Sequence, residues 1–299
     1  MEPTVKKANY YFPEKEKRKR KSPEWEAFKK NKLGVASLVI LIIFCLIAIF
    51  APMLMPYDPL AQDMLNRLAG PSADHWLGVD PNGRDILSRI ILGSRTSLIV
   101  GFGAVLVSSL IGFGIGMIAG YKGGRLDDIV MRFLDSIMSI PLLLFGVMVV
   151  VALNSSMLTL IIAIGIGLVP GCARVARGST MELKEKEFIK SAISMGASDI
   201  RILLTHILPN ITGALLVIST LHMTTVIMVE ASLSFLGVGI QPPTPTWGNM
   251  IQDGFNFVRD QPGIAIYPGI ALIIVSVSFN VLGDAIRDAV DPHIKKQRN

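Results

Sequence analysis

The chain has little of what soluble enzymes depend on. Charged residues make up 17% of its 299 residues, below the roughly 25% of a typical soluble domain. It has two cysteines, Cys45 and Cys172, and no CxxC motif, and its four histidines are scattered without ligand spacing. The sequence therefore predicts neither a disulfide framework nor a metal site.

A nucleotide-binding motif is also missing, since no GxxxxGK[ST] run occurs that could cradle phosphates. The glycine-rich pieces lie inside apolar runs, where Gly116 with Gly120 and Gly167 with Gly171 form GxxxG pairs. Such pairs are typical of membrane helices that pack closely. No catalytic residue and no cofactor are predicted for this chain, so any ATP-driven work requires a separate ATPase.

What the chain has in abundance is apolar sequence, at 51% hydrophobic residues and a mean hydropathy of +0.52. Six continuous runs approach or exceed the roughly 20 residues that cross a bilayer, and continuous runs predict helices rather than barrel strands. The sequence thus predicts an all-α membrane protein with six transmembrane helices. The runs are Leu33–Met55, Ser97–Tyr121, Ile129–Leu153, Met157–Ala173, Ala214–Val238 and Ile264–Leu282.

These runs divide the chain into a basic cytoplasmic tail (1–32), a first transmembrane helix (33–55), an outer segment (56–96), a helical core (97–290) and a C-terminal tail (291–299). A cytoplasmic loop is expected within the core, at 174–213. The first run is too long, and its basic flank too extended, for a cleaved signal peptide.

Basic residues orient the chain, because Lys and Arg favour the cytoplasmic side of short loops. With the N-terminus inside, all but five of the 29 lysines and arginines lie on the inner side. Both termini are therefore predicted to be cytoplasmic. The run Lys15–Lys21 fits contact with anionic lipid headgroups better than nucleic-acid binding. The five on the outer side are Arg67, Arg84, Arg89, Arg95 and Arg259.

The polar segment Glu187–Asn210 lies between two apolar runs and is predicted to form two short amphipathic helices joined at Gly196. Ser198 suits the N-cap of the second helix, and Pro209 is expected to end it. His206 is expected to make a structural hydrogen bond rather than to act in catalysis. Apolar residues at helical spacing predict one continuous face, formed by Ile200, Leu203, Leu204 and Ile207.

Polar residues inside the apolar runs are candidates for function. Arg132 and Asp135 lie three residues apart, so they are expected to pair on one helix face. Glu230 lies within the fifth run, where either a hydrogen bond to a neighbouring helix or a role in a translocation pathway would account for it. Pro141, Pro170 and Pro268 are expected to allow kinks.

Several separated motifs give the chain a family resemblance from about Leu33 onward. The stretches HWLGVDPNGRDILSRIILGSRTSLIVG (75–101), EASLSFLGVGIQPPTPTWGNMI (230–251) and NVLGDAIRDAVDP (280–292) resemble the oligopeptide/dipeptide ABC importer permeases of the second, "C" type. Gly196, Leu208 and Pro209 match the spacing of the EAA loop of such permeases. The acidic position of that motif holds Lys190, a departure, followed by Ser191 and Ala192.

This resemblance implies a type I ABC importer permease fold in a bacterial or archaeal cell (inner) membrane. It also implies a heterodimer with a homologous second permease subunit, two cytoplasmic ATPases that bind ATP and Mg, and an extracytoplasmic substrate-binding protein. Contact with the ATPases is expected at the loop, at Glu187, Lys190, Ser191, Ala192, Gly196, Ala197, His206, Leu208 and Pro209.

Peptides are the cargo that the resemblance favours, and nickel or metal chelates are the alternative. A secondary transporter would need internal repeats or paired broken helices, and the sequence shows no repeat. A scaffold or sensor would need an attached soluble domain, and no segment here is long enough to be one.

Overall fold

The computed structural model describes residues 23–290, so the expectations for most of the basic tail and for the C-terminal tail lie outside the described residues. Between these limits the regular secondary structure is helical, apart from an isolated antiparallel bridge between Val79 and Asp85, and the segment between Leu54 and Ile86 contains no helix. The helices are α1 (Pro23–Lys30), α2 (Lys32–Ile49), α3 (Ala51–Leu54), α4 (Ile86–Lys122), α5 (Gly124–Met138), α6 (Leu142–Leu153), α7 (Met157–Lys184), α8 (Glu187–Ser194), α9 (Asp199–Arg201), α10 (Leu208–Phe235), α11 (Trp247–Phe255) and α12 (Gly263–Val290), with a π-helical turn at Ile202–Ile207.

Five helical segments are long and apolar enough to cross a membrane: α2, α4, α7, the stretch Asp199–Phe235 that ends in α10, and α12. The closest pair is α4 with α7, because small residues remove the side chains that would hold them apart. A Cβ on Gly120 would lie 2.7 Å from the carbonyl oxygen of Arg177, and one on Gly116 would overlap the backbone of Ala173. The GxxxG prediction is confirmed for this pair.

The third predicted span is wrong as a single helix. It consists of α5 and α6, which meet at 84° across a short break. The break falls where Pro141 precedes α6, because proline has no N–H to donate and disfavours helix at the preceding residue. Even so, α5 and α6 together connect the two ends of the bundle and are the candidate for a sixth crossing.

Contacts at the two ends of the bundle show that α5 and α6 connect them. At one end, which we call the basic end, the Arg177 guanidinium of α7 binds Asp127 of α5 with two bonds of 2.5 Å. At the other, which we call the cap end, the hydroxyl of Ser155, just after α6, donates to the carbonyl of Gly239, just after α10. The chain therefore passes from the basic end to the cap end between Asp127 and Ser155.

Several helices are longer than the apolar runs that predicted them. Helix α4 begins at Ile86, well before the predicted Ser97, because Asp85 caps it by accepting the backbone N–H of Ser88 at 2.8 Å. The first predicted span breaks at Phe50, which separates α2 from α3. The helices thus extend beyond the predicted apolar runs because polar residues form their first and last turns.

Candidate functional site

The basic-end loop, Glu187–Pro209, is built as predicted from two helical pieces joined at Gly196. The glycine has φ +81°, a conformation that costs a residue with a Cβ roughly 1 kcal/mol or more. No atom lies within 4 Å of the position of a Cβ there, so the backbone conformation alone explains the glycine. The Ala197 N–H donates to the Ala192 carbonyl at 3.1 Å and closes the turn.

Four apolar side chains anchor this loop to the bundle. Ile189, Ile202 and Ile207 are completely buried, and Ala192 is 4% exposed. The three isoleucines lie at the end of a cluster that continues into α4, α7 and α10 through Met117, Tyr121, Ala176, Ile211 and Leu215. The loop is therefore a packed part of the fold, and its movement would be transmitted to three helices.

A second set of apolar side chains points away from the bundle. Met195 is 81% exposed, and Ile200 is 70% exposed. Several exposed apolar side chains occur together in this short loop, and an exposed apolar patch marks an interaction site. It consists of Phe188, Ile193, Met195, Ile200 and Leu204. We call these five residues the exposed loop face.

The predicted single face of the second helix was wrong, and the π-helical turn is the reason. Ile200 and Leu204 are exposed, whereas Ile202 and Ile207 are buried. A π-helical turn accommodates about one more residue per turn than an α-helix, so buried positions here recur five residues apart. The periodicity of an ordinary helix could not separate the two faces.

The same turn corrects the predicted end of the second helix. Pro209 lies in the first turn of α10, where a missing N–H is tolerated, and the helix continues to Phe235. Ser198 occupies the N-cap position of α9, but its side chain makes no capping hydrogen bond. The predicted cap interaction is therefore wrong, although its position is right.

The departure at Lys190 has a local partner. Its ammonium lies 2.9 Å from the carboxylate of Glu185, and this hydrogen bond lowers the pKa of Glu185 from its ordinary value. Glu187 and Ser191 are exposed beside it. Lys190 is therefore paired with a carboxylate at the end of α7.

At His206 the backbone carbonyl accepts the side-chain amide of Asn210 at 2.6 Å. This bond does not involve the imidazole, so the structural hydrogen bond expected of that side chain stays a prediction. Arg132 and Asp135 do not form the predicted pair: the Asp135 carboxylate binds Arg174 of α7 at 2.5 Å instead. A partner on a neighbouring helix has displaced the pairing within one helix.

Glu230 is completely buried. It accepts the hydroxyl of Ser97 on α4 at 3.1 Å and that of Ser234 on its own helix at 2.8 Å. Of the two interpretations of this carboxylate, these contacts favour a hydrogen bond between neighbouring helices.

Sequence reasoning missed a cluster of buried charges at the cap end. The Arg84 guanidinium donates to Asp80 at 2.7 Å and lies 3.2 Å from Asp253 of α11. Arg89 lies 3.3 Å from Asp80 and 3.7 Å from Asp253. The available signal was two arginines and two aspartates within the ten residues 80–89 of a chain that has few charges. We call these four residues the cap cluster.

Among solved structures, the architecture is similar to a chain of the MetNI methionine ABC transporter, determined in inward-facing conformations. The TM-score is 0.57 at 18% identity, and the match covers 69% of this chain and 98% of that one. The protein therefore has the type I fold of an ABC importer permease.

Residues 112–296 match the family described as "Binding-protein-dependent transport system inner membrane component", and residues 25–71 match the "N-terminal TM domain of oligopeptide transport permease C". The chain belongs to the binding-protein-dependent transport permease family. It is accordingly a multi-pass inner-membrane permease subunit and not an enzyme, and separate ATPase subunits hydrolyse ATP.

The chain is similar to permeases that are named for the transport of peptides. The dipeptide transport system permease DppC of Alkalihalophilus pseudofirmus is 42% identical over 92% of this chain and 91% of the relative. The glutathione transport system permease GsiD of Pectobacterium atrosepticum is 42% identical over 91% and 90%. The oligopeptide transport system permease OppC of Bacillus subtilis is 40% identical over 90% and 88%.

Proposed function

We propose that this chain forms half of the translocation path of an ATP-driven importer of short peptides. The single observation that carries the substrate class is the identity of about 40% to dipeptide, glutathione and oligopeptide permeases over nearly the whole chain. A nickel or metal-chelate substrate remains the alternative, and these relatives do not favour it. Selection among peptides falls mainly to the separate binding protein.

The complete transporter contains a homologous second permease, two cytoplasmic ATPases that bind ATP and Mg, and an extracytoplasmic binding protein. The excess of Lys and Arg on one side of the bundle supports a cytoplasmic basic end. The cap end then faces the binding protein, and the basic-end loop faces the ATPases.

The basic-end loop is the coupling element between ATP hydrolysis and the permease. Its exposed loop face offers apolar area to an ATPase groove, while Ile189, Ile202 and Ile207 fix it to three helices. Closure of the two ATPases on ATP would displace the loop as a rigid unit and tilt these helices. Coupled rigid-body movement of this kind is a known form of switching.

Reconstitution tests the class. In liposomes, the chain alone should take up no labelled dipeptide with ATP inside. Uptake should appear when the second permease, the ATPases and the binding protein are added, and unlabelled dipeptide should compete where a nickel chelate does not. Uptake by the single chain along a proton gradient would indicate a secondary transporter, and competition by the nickel chelate alone would indicate the other substrate class.

A further inference from the structure

An apolar groove opens between α2 and α4 on the side of the bundle nearer the cap end. It has a volume of about 490 Å³, and its walls include Cys45, Ile49, Ile99 and Phe102. Among its lining residues in the described part of the chain, Arg95 is the charged one. An apolar groove that ends at a guanidinium matches a molecule with an apolar chain and an anionic head.

The helix lengths place this groove at the boundary of the bilayer. Helix α2 has 18 residues and spans about 27 Å at 1.5 Å per residue, close to the roughly 30 Å of a hydrocarbon core. It begins at Lys32, so Ile49 at its other end lies at the far boundary of that core. Arg95 lines the same groove as Ile49 and therefore lies at the depth of the lipid headgroups.

Exposed apolar side chains follow Arg95 along this face, as contact with acyl chains requires. On α4, Ile99, Phe102, Leu106 and Leu110 are between 44% and 69% exposed and follow Arg95 at helical spacing. The exposed side of α2 is similarly apolar, with Val39, Ile42, Ile43 and Leu46 about half exposed. The groove thus adjoins exposed apolar side chains on both of the helices that form it.

The charge of Arg95 is not matched within its own helix. Arg95 is exposed, and α4 contains no Asp or Glu between Ile86 and Lys122. A guanidinium binds a phosphate with two parallel hydrogen bonds, which a compact ammonium cannot do. The ligand chemistry is therefore a phosphate attached to an acyl chain.

We propose that the groove between α2 and α4 binds one anionic phospholipid, with its phosphate on Arg95 and an acyl chain along Cys45, Ile49, Ile99 and Phe102. The bound lipid would fill the space between the first transmembrane helix and the core. This site is independent of the coupling role proposed for the loop, and its test does not depend on transport.

Native mass spectrometry of the full chain in detergent tests the site, with an equimolar mixture of phosphatidylglycerol and phosphatidylcholine of matched acyl chains. We expect one retained phosphatidylglycerol, favoured about fivefold, which is the effect of about 1 kcal/mol from one arginine near a charged headgroup. Arg95→Gln should reduce the preference to parity and Arg95→Lys should keep part of it. Arg259→Gln, an exposed arginine at the cap end, should leave it unchanged.

A second measurement uses the wild-type chain. Cys45 is partly exposed in the groove, whereas Cys172 is buried, so a bulky maleimide should modify Cys45 alone and abolish lipid retention. An unchanged preference in both Arg95→Gln and the modified chain would overturn the proposal. So would loss of the lipid whenever the second permease is bound, because the groove would then be a subunit interface.

Discussion

The two ends of this bundle depart differently from the usual pattern of buried apolar and exposed charged side chains. At the basic end, apolar side chains such as Met195 and Ile200 are mostly exposed, whereas at the cap end Arg84 and Arg89 are almost completely buried. The cap cluster pairs its charges within the chain, with one buried nitrogen of the Arg89 guanidinium left without a hydrogen-bond partner among the described residues. The exposed loop face is not covered by any described residue of the chain, which is why we propose it, and not the cap end, as the contact with the ATPases.

The largest effect is expected at the cap cluster. Asp80→Ala removes the carboxylate that both Arg84 and Arg89 contact and leaves buried charge without compensation, which costs about 3–5 kcal/mol. The melting temperature of the purified chain should fall by many degrees. Asp74→Asn, at an exposed position of the same segment, is the control, and equal melting of the two variants would show that the cluster does not hold the cap.

Ala192 and Ile193 of α8 distinguish side chains that anchor the loop to the bundle from side chains that are free to contact an ATPase. The sequence suggested that Ala192 contacts an ATPase. Because Ala192 is only 4% exposed, Ala192→Asp instead inserts a charge into the packing of the loop itself. We expect local destabilisation of about 2 kcal/mol, seen as faster amide exchange in the loop. Ile193→Asp, at a position 44% exposed, should leave exchange unchanged; equal acceleration in both would remove the distinction.

The turn at Gly196 should show a smaller effect. Gly196→Ala has free space around the new Cβ, so its cost of about 1 kcal/mol comes from φ alone, and Gly196→Asn should cost less because Asn tolerates that conformation. Amide exchange of the loop measures both. Gly178→Ala, also in open space but inside helix α7, should be neutral or stabilising, and the comparison fails if the two alanines behave alike.

The smallest effect concerns Lys190. Because the Glu185 pKa is lowered in the folded protein, this group stabilises the fold above its unfolded pKa and loses that contribution as the pH falls through its folded pKa. Lys190→Ala should return the Glu185 pKa towards its ordinary value and flatten the acid dependence of loop exchange slightly. Unchanged acid dependence would show that the two side chains do not interact in solution.

The sequence predicted the helical class, the positions of most spans and the two-helix loop because these depend on local apolar content and on Gly196. It missed features that depend on contacts between distant segments. Asp135 pairs with Arg174 rather than Arg132, and Asp80 meets Asp253 through two arginines. Local periodicity also failed at the π-helical turn, where one additional residue per turn changes which side chains are buried.

Co-purification of the ATPases with the assembled permease pair tests the coupling account most directly. Ile193→Asp, Gly196→Asp and the control Lys186→Ala, an exposed lysine paired with Glu182, would be compared at equal membrane insertion. We predict that Ile193→Asp and Gly196→Asp retain at least about tenfold less ATPase, equivalent to about 1.4 kcal/mol, and lose peptide uptake, while Lys186→Ala behaves as wild type. Normal ATPase retention and normal uptake in Ile193→Asp and Gly196→Asp would contradict the assignment of the basic-end loop as the coupling element.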